Sequence, residues 1–412
     1  MHLEKLKEFD SKVYGLIEKE KQRQMSGIEL IPSENLVSQA VLEALATVPT
    51  NKYSEGYPGK RYYSGNEFID GIENIAIERL KKLFKAEHAN VQPLSGAPAN
   101  LAAFFAFMKP GETLMGLRLD MGGHLTHGHK VNFSGTIFNS VQYGLDPKTE
   151  LLDFEQIRKT AIESKPKIIL SGYSAYPRAI DFKQFREICN ETGAIAMADI
   201  AHIAGLCCTG QHENPVPYFD VVTTTTHKTL RGPRGAAIMC KKEFAEQIDK
   251  AVFPFLQGGP HENVIAAKAV AFKEALQPEF KKYARQVVKN ARVLAETLMA
   301  KGNRLVSGGT DNHLMLVDVS KKGLTGKQAE AFLEMAGIYC NKNTIPFDPR
   351  KPWDPSGIRL GTPAATTRGM KESEMKEIGE IINLVLEKPN KTTIKKAREK
   401  TKELCKNFPF YE

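Results

Sequence analysis

The chain has 412 residues and a formal net charge of +9, from 57 Lys and Arg against 48 Asp and Glu. Its 42% hydrophobic and 25% charged residues exclude a collagenous, coiled-coil or wholly disordered chain, and the length suits two or three domains with a large buried core. The opening residues, MHLEKLKEFDSKVYG, show no secretory signal, and no apolar run is long enough to cross a bilayer.

Cysteine usage and charge narrow the setting. Cys189, Cys207, Cys208, Cys240, Cys340 and Cys405 include one adjacent pair but no C-x-x-C spacing. They suggest neither a disulfide framework nor a zinc site, and a cytoplasmic location is expected. The densest basic run, Lys388 to Lys406, is interleaved with Glu and reads as a solvated, partly helical tail, attraction of a polyanionic small molecule being the alternative. No nucleic-acid-binding module is visible, so nucleic acid is not an expected partner.

In chain order, Leu6, Phe9, Val13, Leu16 and Ile17 recur at helical spacing and predict an amphipathic first helix. NKYSEGYPGKRYYSG, residues 51–65, is loop by composition, though rich in tyrosine. From about residue 90 to 260 short apolar runs alternate with helical stretches. Strands are predicted at Lys167–Leu170, Ala194–Ala198, Asp220–Thr225 and Ala236–Cys240, and a helix at Phe182–Thr192 stopped by Gly193. This alternation predicts an α/β chain with a mostly parallel sheet, whose ligands sit at the carboxyl ends of the strands. Beyond residue 278 come a long helix ending at Gly302, a strand over His313–Val319, a helix capped by Thr325 with Ala329, Phe332, Leu333 and Ala336 inward, and a last helix with Met375, Ile378, Ile382 and Val385. They read as a smaller α/β domain.

Five segments can carry chemistry. In TTTTHKTLRGPRG, residues 223–235, a β-branched strand ends in His227 and Lys228; a strand-end lysine is ordinarily surface charge, but partly desolvated beside cations it becomes a nucleophile. In AMADIAHIAG, residues 196–205, an apolar strand ends in Asp199 with His202 three residues on. That carboxylate reads either as the cap of the next helix or as the partner of a pyridinium nitrogen, which pyridoxal phosphate requires. Ser95, Gly96 and Ala97 precede an apolar helix, where free N–H groups suit a phosphate. His124, His127 and His129 lack nearby carboxylate or cysteine co-ligands; stacking of one imidazole on a cofactor ring is a better reading than a metal, and no metal is assigned. Arg359, in GIRLGTPAATTRG, is a candidate fork for a substrate carboxylate.

Together these segments resemble the serine hydroxymethyltransferase family of pyridoxal phosphate enzymes. The resemblance runs in order through LIPSEN, NKYSEGYPGKRYYSG, NVQPLSGAPAN, GGHLTHG, SAYPRAIDF, ADIAHIAGL, TTTTHKTLRGPRG, QGGPHEN, SGGTDNHLMLVD, NKNTIPFDP and GIRLGTPA. It implies an aspartate-aminotransferase-like (type I) α/β fold: an N-terminal helix and interface arm over 1–80, a large cofactor-binding domain over 81–278 with a mostly parallel seven-stranded sheet between helices, and a small C-terminal α/β domain over 279–412. It implies pyridoxal 5'-phosphate as cofactor, tetrahydrofolate as co-substrate, L-serine and glycine as substrates, and a homodimer, which could pair further into a dimer of dimers.

The resemblance also implies roles. Lys228 would hold the cofactor covalently, with His227 beside it, and Asp199 would pair with the pyridine nitrogen. His124 would stack on the ring and His202 lie near its phenolic oxygen. Ser95, Gly96 and Ala97 would cup the phosphate, completed by Gly258 and Gly259 of a neighbouring subunit, and Ser174 would contact the cofactor. Arg359 would bind the substrate carboxylate, with Ser33 and His202 beside it. Tyr53, Glu55 and Tyr63 would reach the substrate across the dimer interface, with Glu55 moving protons. Leu119, Gly123, Leu125 and Asn343 fall where the family binds folate. Met121, Phe255 and Phe347 depart from the family pattern, which leaves a related aldolase of β-hydroxy amino acids, or an α-methylserine-type transferase, as the alternative activity.

Overall fold

The computed structural model of the chain describes residues 3–411. They divide into two units, one formed by Ala40–Arg285 and the other by the residues up to Gln39 together with those from Gln286 on. These bounds differ from a split at 80 and 278. The strand Ile28–Glu29 pairs in parallel with Ile338–Tyr339, so the first segment belongs with the last, a non-local pairing that composition does not report.

The larger unit is built on seven strands: β1 (His88–Asn90), β2 (Thr113–Leu117), β3 (Asn139–Tyr143), β4 (Ile168–Ser171), β5 (Ile195–Asp199), β6 (Val221–Thr225) and β7 (Ala236–Cys240), in the spatial order β1-β7-β6-β5-β4-β2-β3. β7 is antiparallel to both neighbours, and the remaining pairings within the sheet are parallel. Six strands therefore share one direction. The β-branched run of β6 and the apolar run of β7 are buried at every position, as expected of strands covered on both faces. Helices α1 (Glu67–Phe84), α2 (Gly96–Phe107) and α3 (Phe182–Thr192) belong to this unit. α3 starts where Asp181 accepts from the Lys183 and Gln184 N–H groups and stops at left-handed Gly193.

The smaller unit holds a four-stranded sheet of β8 (Arg304–Leu305), β9 (Leu314–Asp318), β10 (Asn341–Asn343) and β11 (Gly357–Gly361), ordered β8-β9-β11-β10 and antiparallel throughout. Its core gathers Leu294, Leu298, Leu316's neighbours Met315 and Val317, Ile358, Ile378 and Ile382. Thr325 caps the helix Gly326–Met335 in a reciprocal capping box with Gln328. Two expectations change here. The first helix is broken at Asp10, which caps Ser11–Ser26, and Phe9, Val13, Leu16 and Ile17 remain exposed. The basic C-terminal run is the helix Lys391–Lys406, which buries Ala397, Thr401, Leu404 and Cys405. Arg368 binds this end of the chain: its guanidinium donates to the carbonyls of Phe408, Cys405, Met25 and Gly27.

Candidate active site

The parallel strands deliver the sequence motifs to one edge of the large sheet. Ser95–Ala97 follow β1, Leu119–Leu125 follow β2, Ser174 follows β4, Asp199 ends β5 with His202 just beyond, and His227 and Lys228 follow β6. All therefore lie past the carboxyl ends of strands that share one direction, where open α/β sheets bind ligands.

The turns there are stitched to one another. Thr229, next to Lys228, donates to the His202 carbonyl at 2.8 Å and accepts from the Gly205 N–H at 3.0 Å. The backbone N–H of Ser174 donates to the Gly122 carbonyl at 2.9 Å, which ties the turn after β4 to the segment bearing Gly123, His124 and Leu125. Gly172, at φ +89°, passes so close to the Asp199 carbonyl that any Cβ would collide with it.

Asp199 is the electrostatic centre of this edge. Its Oδ2 faces His127 Nε2 at 3.2 Å and accepts from Asn100 Nδ2 at 2.9 Å, while Oδ1 accepts from the Ala201 N–H at 3.1 Å. Burial opposes its ionisation, but the His127 bond and the nearness of His127, His124 and Lys228 prevail and hold it well below the usual carboxylate range. The next helix begins at Ala204 with Ile203 before it, so Asp199 is not its cap.

A polar chain runs outward from Asp199. Asn100 Nδ2 also donates to Thr126 Oγ1 at 2.8 Å, Thr223 Oγ1 donates to Asn100 Oδ1 at 2.6 Å, and Thr126 Oγ1 lies 2.8 Å from His124 Nδ1. Sequence pattern alone assigns no role to Asn100, Thr126, Thr223 or His127. The available signal was Asn100, one turn after Gly96 as the polar residue of an otherwise apolar helix.

The expected cofactor fits these residues. Ser95 precedes α2 without capping it through its side chain, and a helix start of this kind, with the Gly96 and Ala97 N–H groups in its first turn, suits an anion. A Cβ on Gly96 would lie 2.9 Å from Thr225 Cγ2, which shows how tightly the start of α2 abuts β6. His227 Nδ1 is buried with no hydrogen-bond partner, and burial, with Lys228 and Arg234 nearby, pulls this imidazole down to about 3, so it is neutral.

Residues 6–382 match the family model described as serine hydroxymethyltransferase. The chain belongs to the serine hydroxymethyltransferase family. Members of that family are pyridoxal phosphate-dependent transferases of the type I fold, and the seven-stranded, mostly parallel sheet is the large-domain sheet of that fold.

Two further groups of the expected serine hydroxymethyltransferase residues come together. In the larger unit Tyr53 and Tyr63 pack edge to face at 4.9 Å, and Tyr53 OH donates to Glu55 Oε1 at 3.4 Å. A Cβ on Gly258 would lie 3.1 Å from the same oxygen. Gln257 anchors this loop to the segment before α2 through the Leu94 N–H at 3.1 Å and the Gln92 carbonyl at 3.1 Å. In the smaller unit Arg359 lies on β11 opposite Asn341, to whose Oδ1 its Nε donates at 3.1 Å. Burial pulls the Arg359 guanidinium down to about 10, still a cation at neutral pH. Gly361 of the same strand is in close contact with Pro32, the neighbour of Ser33, and Asn343 pairs with Gly357 on β11. Of the departures, Met121 is buried and accepts the Leu145 N–H through sulfur at 3.2 Å, Phe255 is exposed and packs on Phe105 at 5.0 Å, and Phe347 takes a left-handed backbone, φ +58°.

Proposed function

We propose that this chain is a serine hydroxymethyltransferase that reversibly converts L-serine and tetrahydrofolate to glycine and 5,10-methylenetetrahydrofolate. The observation that carries the reading is the partly buried, anionic Asp199 at the end of β5 beside the Lys228 turn of β6. Pyridoxal phosphate, when bound, supplies an electron sink for the bond broken at Cα. Lys228 anchors it, Asp199 keeps its ring nitrogen protonated, Ser95–Ala97 with Gly258 and Gly259 hold its phosphate, and His124, Ser174, His202 and His227 line it.

Arg359 and Ser33 bind the amino-acid carboxylate, a planar fork meeting a planar anion. Glu55, with Tyr53 and Tyr63 around it, holds and moves the proton that accompanies one-carbon transfer. Leu119, Gly123, Leu125 and Asn343 receive the folate. The active form is a homodimer in the cytoplasm, with Tyr53, Glu55, Tyr63, Gly258 and Gly259 serving the neighbouring subunit's site.

The test is the visible absorption of the purified protein with pyridoxal phosphate, then with glycine, then with glycine and tetrahydrofolate. A cofactor band that gains a strong long-wavelength component only with both ligands supports the reading. A band that glycine perturbs and tetrahydrofolate does not would replace it with an aldolase of β-hydroxy amino acids. No band after cofactor addition would overturn the catalytic assignment.

A further inference from the structure

The loop bearing Tyr53 and Glu55 is exposed outward and rests inward on buried charge. Tyr53 is 56% exposed, whereas Ser54, between the two, is completely buried. The Ser54 hydroxyl donates to Glu262 Oε1 at 2.6 Å. Glu262 is the first residue of the helix α4 (Glu262–Ala275) and follows the Gly258–Gly259 segment by three residues. A Cβ on Gly259 would lie 3.9 Å from the Ser54 nitrogen and from Glu55 Cγ, so one buried carboxyl fixes both segments where they touch.

The groups around Glu262 are largely committed elsewhere. Arg61, from the hairpin that follows Glu55, approaches only to 4.0 Å. It pairs instead with Asp70 at 2.8 Å and Glu73 at 2.6 Å on α1, and donates to the Ser54 and Gly56 carbonyls at 2.8 and 2.9 Å. Lys268, on α4 itself, donates to the carbonyls of Val91, Pro93 and Ala236. The second Glu262 oxygen, Oε2, is buried without a hydrogen-bond partner. An unpaired buried anion is costly, and a neutral acid or an amide of the same shape is much less so.

We propose that Glu262 is a positioning residue that, through Ser54, holds the loop carrying Tyr53 and Glu55 in its working geometry. The inference rests on the proposed role of Glu55. Titration supports it. Burial, reinforced by Glu73 and Asp70 and opposed by the Ser54 bond and Arg61, pushes Glu262 up to about 7. The docked loop therefore favours the protonated acid. Its hold is full below the ordinary carboxylate range, weakens as pH rises, and levels off above about 7.

The experiment compares the wild type with Glu262→Gln, Glu262→Leu and Ser54→Ala. Amide exchange of residues 51–63 is followed in the cofactor-free protein from about pH 5.5 to about pH 8.5, with intrinsic rates removed. In the loaded enzyme, kcat and KM are measured with serine and tetrahydrofolate. Glu262→Leu and Ser54→Ala should speed exchange of the loop and lower kcat, each by about tenfold, with KM for serine within about twofold. Glu262→Gln should keep kcat within about threefold and flatten most of the pH dependence of loop exchange that the wild type shows; Lys268, which burial also pulls down to about 7 while Glu73 and Glu262 oppose the shift, remains in this variant, so the part of the step that is lost belongs to Glu262. Wild-type exchange and kcat in Ser54→Ala, or a wild-type pH step in Glu262→Gln, would overturn the proposal even if Glu262→Leu fails to fold. A wild type without serine–folate activity would sink the proposed function, while the exchange series would still decide whether Glu262 holds the loop.

Discussion

Asn100 is fixed from one side by Thr223 and spends both amide protons, one on Asp199 and one on Thr126. Its orientation is thus unambiguous, and its loss would leave the buried Thr126 and Thr223 and the partly buried Asp199 each short of a bond. Asn100→Ala is expected to weaken pyridoxal phosphate binding about tenfold in an absorbance titration, and Asn100→Asp to weaken it further by placing a like charge against Asp199. His227 gives a pH prediction. Its folded value, about 3, lies below the ordinary 6.5, so the unfolded chain binds the proton more readily. Stability is then full above about pH 6.5 and falls by up to ~1.4 kcal/mol per pH unit as pH drops toward about 3. Melting temperatures of the wild type should fall more steeply across that window than those of His227→Asn; parallel curves would refute the assignment.

At the scale of elements, the legible features were those with local causes. Ala236–Cys240 and Phe182–Thr192 have the bounds read from the sequence, because alternation with turn residues marks a covered strand and Gly193 marks a helix stop. Thr325 was legible as a cap because the competing interaction is only three residues away. Thr325→Ala should cost about 1 kcal/mol, read as a shift in denaturant midpoint with unchanged slope. Lys228, Asp199 and Ser95–Ala97 were legible because each falls at the end of a readable strand or the start of a readable helix. What escaped was long-range. Asn100 meets Asp199 ninety-nine positions away, and Ser54 meets Glu262 two hundred and eight away; no window of sequence contains such a pair. The C-terminal helix was undervalued because its charges outnumber the four residues it buries.

At the scale of the whole molecule, the larger unit leaves Phe68, Val48, Tyr62 and Phe255 between 62% and 80% exposed, a quantity of apolar surface that suits the proposed homodimer. If subunits exchange Glu55, two inactive variants can repair one another. Lys228→Ala mixed in equal amounts with Glu55→Gln, after subunit exchange, should regain about a quarter of wild-type activity, since half of the dimers are mixed and each has one intact site. No regain in a mixture that has demonstrably exchanged subunits would exclude that arrangement.

The smaller unit is assembled from both ends of the chain. Ile28–Glu29 must await its partner Ile338–Tyr339, and the carbonyls of Met25 and Gly27 must await Arg368. On a ribosome adding ~5–20 residues each second, the roughly 310 residues between those two strands take on the order of 15–60 s to emerge. Throughout that interval the nascent segment waits with its strand unpaired and Ile28 and Leu30, both buried in the finished fold, uncovered, while the larger unit emerges and folds behind it. Synthesis speed and holdase supply should therefore govern the yield of this protein more than the stability of the finished fold does.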